Sequence, residues 1–427
     1  MHSLLMIIAI LAAGLNLTAC DFGSQGEPPM RGKRVSVLTH EHTLKLEKSL
    51  PSHITLPKKS PSEVAEFISQ VWQTKKGGNT GSTYRCDHML SHLIATDKRV
   101  YLSDSRAVVY AIDSQSGNTL WKTDLLSKIE ELDTLLIGGF TYKSNQYIII
   151  TTGWGSVIAL HSDTGTEWWR HSIGGGIPMR TAPTIGGSRV FIVNRENEVR
   201  ALAIESGNEL WYRRGVAEIT SLLGGAAPLV DGSTVVVPLS SGELVALCAE
   251  NGKQMWSAPL TARQHIVTIE NFNNIISHHI IHKEHVYAVT HSGLMVAINI
   301  NSGERLWERA LGSYYPPIVA NDFLFVLTTD GDLVALEAQN GRVLWITELP
   351  RRKKSENFDE RIYWTGPVLA GDRLVVTSLE GIVITISPYT GSLLGESELQ
   401  AELCLSPVIA DKRIFFLTRN GNLFAYQ

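Results

Sequence analysis

One short pattern returns along this chain: an apolar run, a polar turn closing on glycine, and a tryptophan four residues after that glycine. The first copy reads Val108-Val-Tyr-Ala-Ile-Asp-Ser-Gln-Ser-Gly117-Asn-Thr-Leu-Trp121. The glycines are Gly117, Gly165, Gly207, Gly252, Gly303, Gly341 and Gly391, and the tryptophans are Trp121, Trp169, Trp211, Trp256, Trp307 and Trp345. In the seventh copy the tryptophan position holds Gly395, so that copy is degenerate. The mean spacing of the glycines, about 46 residues, lies in the range of a four-stranded propeller blade.

Each period carries further blade signals. Ser241-Gly242, Ser292-Gly293, Asp330-Gly331, Glu380-Gly381 and Asn420-Gly421 read as two-residue turns before a third strand. Ala182-Pro183, Ala227-Pro228, Gly366-Pro367 and Ser406-Pro407 open first strands, where a missing backbone donor is tolerated. Between these markers the runs alternate or stay apolar throughout, as in Arg189 to Val193 and Leu374 to Thr377. Third strands are expected near Val108, Val157, Val199, Leu244, Met295, Leu333, Ile382 and Asn422. The chain ends before the last of these could be followed by a Gly-x-x-x-Trp strand, while an orphan strand of that kind occurs early, around Val71-Trp72. The expected fold is therefore all-β, an eight-bladed β-propeller fastened by an N-terminal strand, which leaves no long exposed sheet edge.

Composition agrees and narrows the function. With 427 residues, 44% hydrophobic and 19% charged, the chain is neither disordered, collagen-like nor a polytopic membrane protein. A net charge of -4 argues against nucleic acid as a partner, because phosphate neutralisation needs a cationic excess. Thirty-six glycines and ten tryptophans against four cysteines describe a turn-rich β protein without a disulfide framework.

The N-terminus is a separate unit. Leu4 to Ala19 is almost wholly apolar but shorter than the roughly 20 residues of a spanning helix, which fits a secretory signal. Leu17-Thr18-Ala19-Cys20 resembles the box cut by bacterial lipoprotein signal peptidase, and implies a Cys20 that carries acyl chains and anchors the mature chain. Asp21 directly after it is a mark of retention in the inner membrane in some bacteria. The expected organisation is a signal peptide over 1–19, the lipidated cysteine and a flexible tether over 20–60 with one short strand at Arg34 to Leu38, and the propeller over 61–427.

The Ala-Leu/Ile-Asp-x-x-x-Gly-x-x-x-Trp grammar resembles the PQQ-like (WD40-like) repeat. A lipobox, a tether and eight such repeats together resemble the BamB family, as does the stretch Pro29 to Leu38. That resemblance implies a non-catalytic lipoprotein scaffold of the outer-membrane β-barrel assembly complex, facing the periplasm from the outer membrane. It would be monomeric within the complex, beside other assembly lipoproteins, and would bind the POTRA domains of the barrel-inserting subunit BamA. On the family's pattern the partner-binding residues fall in two loops. Leu222 and Leu223 lie in the first, where Leu223 replaces a basic residue. Asn273 and Asn274 lie in the second, which is usually acidic.

A quinoprotein oxidoreductase, which would need PQQ and calcium, is the alternative reading, with a ligand-binding propeller as a third. Cys86, Cys248 and Cys404 are isolated, and an odd number of thiols after lipidation of Cys20 leaves at least one free. Cys248 and Cys404 lie in apolar strand segments and are expected to be buried thiols. His278, His279, His282 and His285 lack the spacing of a zinc site and read as loop or sheet-surface residues. Arg351-Arg-Lys-Lys354 reads as a solvated loop, with a contact to acidic partners or lipid head groups as the functional alternative. No catalytic, metal or cofactor-binding residue is assigned.

Overall fold

The computed structural model describes residues 70–75, 93–104, 107–126, 137–143, 146–174, 176–179, 181–215, 226–260, 279–354, 359–399, 401–403, 405–419 and 421–427. The signal segment, Cys20, the tether and the strand expected at Arg34 to Leu38 lie outside these residues.

Eight four-stranded antiparallel meanders make up the described chain. Blade one runs Ile94–Ala95, Arg99–Ser103, Val108–Asp113 and Thr119–Asp124 from its innermost to its outer strand. Blades two to seven span 137–172, 184–213, 229–259, 279–310, 318–348 and 364–398. Blade eight takes three strands from 408–426 and its outer strand from Gln70–Lys75, which pairs antiparallel with Asn422–Tyr426. The innermost strands neighbour one another in sequence order, and that of blade eight lies beside that of blade one, so the ring closes. The third strands begin at Val108, Ser156, Val199, Glu243, Leu294, Asp332, Ile382 and Asn422, within one residue of the expected positions.

The core is divided into eight clusters, one between each pair of neighbouring blades. Because successive strand residues point to opposite faces, Ile148 and Ile150 pack toward blade one while Ile149 packs toward blade three. Val236 likewise serves one interface, and Val235 and Val237 the other. Second and third strands are thus buried on both faces, which is why they read as continuous apolar runs.

The repeated tryptophans join blade to blade. Trp121 donates its indole N–H to the carbonyl of Ser162, Trp169 to Ile204, Trp211 to Ala249, Trp256 to Ile300, Trp307 to Ala338 and Trp345 to Pro388. Each indole also lies against the repeat glycine of the following blade. A Cβ on Gly165 would sit 2.4 Å from Trp121, and one on Gly303 would sit 2.7 Å from Trp256. These glycines have φ of about +70°, a conformation in which a side chain is strained. Gly and Trp of the pattern therefore belong to one contact made across an interface.

The same contact explains the degenerate copy. Blade eight has no turn between its third and outer strands, since its outer strand comes from the N-terminus. A tryptophan on blade seven would have no such glycine to rest on, and Gly395 stands there, opposite Thr385 in register. Conversely Trp72 is paired with Ala425, the register position that Trp121 holds opposite Ala111 and Trp256 opposite Ala246.

Four expectations need correction. The turns before the third strands are the ends of three- or four-residue connections, such as 379–381 and 239–242, rather than two-residue turns. Arg352–Lys354 pairs with Asp359–Arg361, so the basic run forms a hairpin inserted between blades six and seven. His279 is buried in the innermost strand of blade five (6% exposed), whereas His282 and His285 are half-buried at its first turn. Cys248 is free and half-buried at the end of its strand, while Cys86, Cys404 and His278 fall outside the described residues.

Candidate functional site

One end of the wheel carries the loops between second and third strands together with the links between blades. The two are tied by the backbone: Ile173 donates to the carbonyl of Gly155, Leu260 to that of Gly242 and Leu399 to that of Gly381, each at 2.8 Å. At this loop face the connections share one construction. A polar side chain at the start of the connection accepts the N–H of the residue four positions on, which is the first of the third strand or, in blade three, Glu198 just before it. The acceptors are Asp104, Thr152, Asn194, Thr290, Thr328, Ser378 and Thr418, at 2.8–3.1 Å. In blade four that position is Leu239, whose backbone N–H bonds the carbonyl of Glu243.

One residue at or next to the end of each connection has positive φ. It is glycine in six blades, Ala107 in blade one (φ 60°) and Asn197 in blade three (φ 59°). Asparagine tolerates this conformation, and here its side chain adds an interblade link. Asn197 Nδ2 donates to Ser240 Oγ at 2.7 Å, and the Ser240 backbone N–H donates to Asn197 Oδ1 at 3.0 Å. Gly215 crosses so close to Asn197 that a Cβ there would meet its carbonyl oxygen at 2.2 Å.

Beside this bridge lies a buried carboxylate. Glu198 accepts from Tyr212 Oη (2.8 Å), Asn194 Nδ2 (2.8 Å) and Arg200 Nη2 (3.2 Å), with exposed Arg214 at 3.9 Å. Arg200 also lies over the Tyr212 ring at 4.3 Å and bonds Glu209. Burial opposes ionisation of Glu198, but the bonds from Tyr212, Asn194 and Arg200 outweigh it and hold the carboxyl below its ordinary value. The charge therefore stabilises the fold above the ordinary carboxylate range and is lost as pH falls through the lower folded value. Glu198→Gln is expected to cost about 1–3 kcal/mol at neutral pH. The gap from wild type should close as the pH drops below about 4. Urea midpoints measured across that range check this, and a gap still undiminished at the acid end would contradict it.

Leu222 and Leu223 fall between Gly215 and Ala226, and Asn273 and Asn274 between Leu260 and His279; all four lie outside the described residues, as does Cys20. The described ends of both segments stand at the loop face of blades three to five. Sequence reading missed Asn194, Asn197, Glu198 and Ser240; the available signal was an asparagine where other copies have glycine. Among the described residues no group of three His, Cys, Asp or Glu side chains is placed to hold a metal ion. Among the described residues the geometry is that of a polar seam that bridges blades three and four at the loop face.

Known proteins share this chain's sequence and shape. The family model described as outer membrane protein assembly factor BamB matches residues 105–347 and 351–427. Outer membrane protein assembly factor BamB of Yersinia pestis is 25% identical over 363 residues, covering 84% of this chain and 88% of that protein. That of Escherichia coli K12 is 24% identical over 403 residues, covering 83% and 88%. The crystal structure of BamB from Moraxella catarrhalis superposes with a TM-score of 0.68 at 18% identity, covering 84% of this chain and 99% of that one. Quinohemoprotein alcohol dehydrogenase from Comamonas testosteroni superposes with a TM-score of 0.61 at 13% identity, covering 84% and 76%. At such identities the structural likeness concerns the fold.

Proposed function

The chain belongs to the BamB family, and on that premise we propose that it is an outer membrane protein assembly factor acting by binding rather than catalysis. The observation that carries this reading is the family match, which runs from the third strand of blade one to the last residue of the chain. The closed wheel supports it, since a ring of eight interlocked blades presents loops without large rearrangement. The loop face of blades three to five would receive the POTRA region of a BamA-like barrel-inserting protein through the segments holding Leu222, Leu223, Asn273 and Asn274. An acylated Cys20 would hold the wheel at the outer membrane on its periplasmic side and raise the local concentration of the assembly machinery.

The test is affinity purification of the tagged full-length protein from detergent-solubilised envelope. Wild type should recover a POTRA-containing barrel protein. Paired Leu222→Asp and Leu223→Asp substitutions should reduce that recovery about tenfold or more with an unchanged unfolding midpoint. Equal recovery by both proteins would refute the loop assignment.

A further inference from the structure

The large hydrophobic side chains left exposed among the described residues fall into two sets. Leu120, Trp168, Leu210, Tyr212, Met255, Leu306 and Leu393 lie on outer strands around the rim. All but Tyr212 and Leu393 occupy the bulge just before the repeat tryptophan, so the repeat itself accounts for them. Tyr314, Tyr363 and Leu379 have no such origin: they are 53%, 55% and 36% exposed, and all three lie on the loop face of blades five to seven.

These residues join into one surface. The Leu379 backbone N–H donates to the carbonyl of Tyr363 at 3.0 Å, and the Arg361 guanidinium lies 5.7 Å from the centre of the Tyr363 ring. Ile362 donates to the carbonyl of Arg351 at 3.0 Å, closing the base of the inserted hairpin, and exposed Arg351 reaches Asp332 at 3.3 Å. Thr329, in the connection that leads into Asp332, donates its backbone N–H to the carbonyl of Gly312 two residues before Tyr314. Tyrosine and arginine standing together in the open is the composition of protein–protein hot spots.

We infer that Tyr314, Arg351, Arg361, Tyr363 and Leu379 form a second docking surface, for a protein partner that offers an acidic patch with an apolar recess. The hairpin register favours a protein over a lipid surface. In the backbone register Lys353 stands opposite Glu360, Lys354 opposite Asp359 and Arg352 opposite Arg361. Anionic bilayers are instead recognised by lysine and arginine clusters free of interspersed acids. The surface lies on the same face as Gly215 and Ala226, the described residues that flank the Leu222 segment, so two contacts could be held together. This inference stands apart from the BamA-like partner proposed for that segment.

The test places a photoreactive amino acid at position 363 or 379 of the full-length protein in its native envelope, with position 306 on the rim as the control. The expected result is one protein adduct at 363 and 379 that is absent at 306. Charge reversal, Arg351→Glu with Arg361→Glu, should lower its yield about tenfold. These side chains are exposed, so the unfolding midpoint should not change. A parallel crosslink from position 222 should survive the charge reversal, which separates failure of this surface from failure of the proposed function. Lipid adducts only, a yield equal to that at 306, or indifference to charge reversal would each overturn the inference.

Discussion

Replacing Trp72 with alanine is expected to destabilise the wheel by about 3–5 kcal/mol, because its place in the ladder is the one that the interblade tryptophans hold elsewhere. The register provides the reason. Trp72 is paired with Ala425, one bulged residue after Gln70 opposite Tyr426. In six other blades the residue at this position is a tryptophan docked on the next blade. Gly117, the repeat glycine of blade one, has φ +73° like the glycines those tryptophans cover. The change should therefore cost as much as Trp256→Ala and far more than the same change at exposed Trp168. Urea titration of the three variants checks the order. A Trp72→Ala loss no larger than that of Trp168→Ala would show that the closing strand is held by its ladder alone.

Gly303→Ala should cost about 2–5 kcal/mol through two additive effects. A residue with a side chain at φ +74° is disfavoured by about 1–2 kcal/mol. Its Cβ, 2.7 Å from the Trp256 ring, would also force that buried indole aside at about 1–3 kcal/mol more. Gly232→Ala isolates the first effect, because its φ is +54° but nothing lies within 4 Å of the added carbon. A double-mutant cycle of Gly303→Ala with Trp256→Ala should be strongly non-additive, since removing the indole removes the clash. Additive losses would mean that the glycine serves the backbone alone.

Much of the fold was legible because a blade is a local object. Strands such as Arg189–Val193 pair with neighbours a few residues away, and the Gly of Glu380-Gly381 takes the positive φ that its spacing implied. Even the closing strand could be inferred, since a Gly-x-x-x-Trp strand missing at one end had an orphan counterpart near Trp72. The candidate site was less legible. Asn197 differs from its glycine equivalents by a side chain whose value depends on Ser240 in the next blade. His279 looked like a surface residue because nothing near it in sequence says that it starts the innermost strand of a blade. The basic run at 351–354 became a hairpin through partners at 359–361 that carry no hairpin signature of their own.

By itself the sequence determined the blade, the number of blades and the site of closure, because strand alternation, turn glycines and repeat spacing act over a few tens of residues. Only the tertiary structure decided what the pattern is for. Gly and Trp recur together because one blade's indole rests on the next blade's turn. The pattern lapses at Gly395 because blade eight has no such turn. The polar seam of Asn197, Glu198 and Ser240 and the exposed patch around Tyr363 likewise arise where separate blades meet. Such features depend on contacts between residues that sequence distance keeps apart and ring closure brings together.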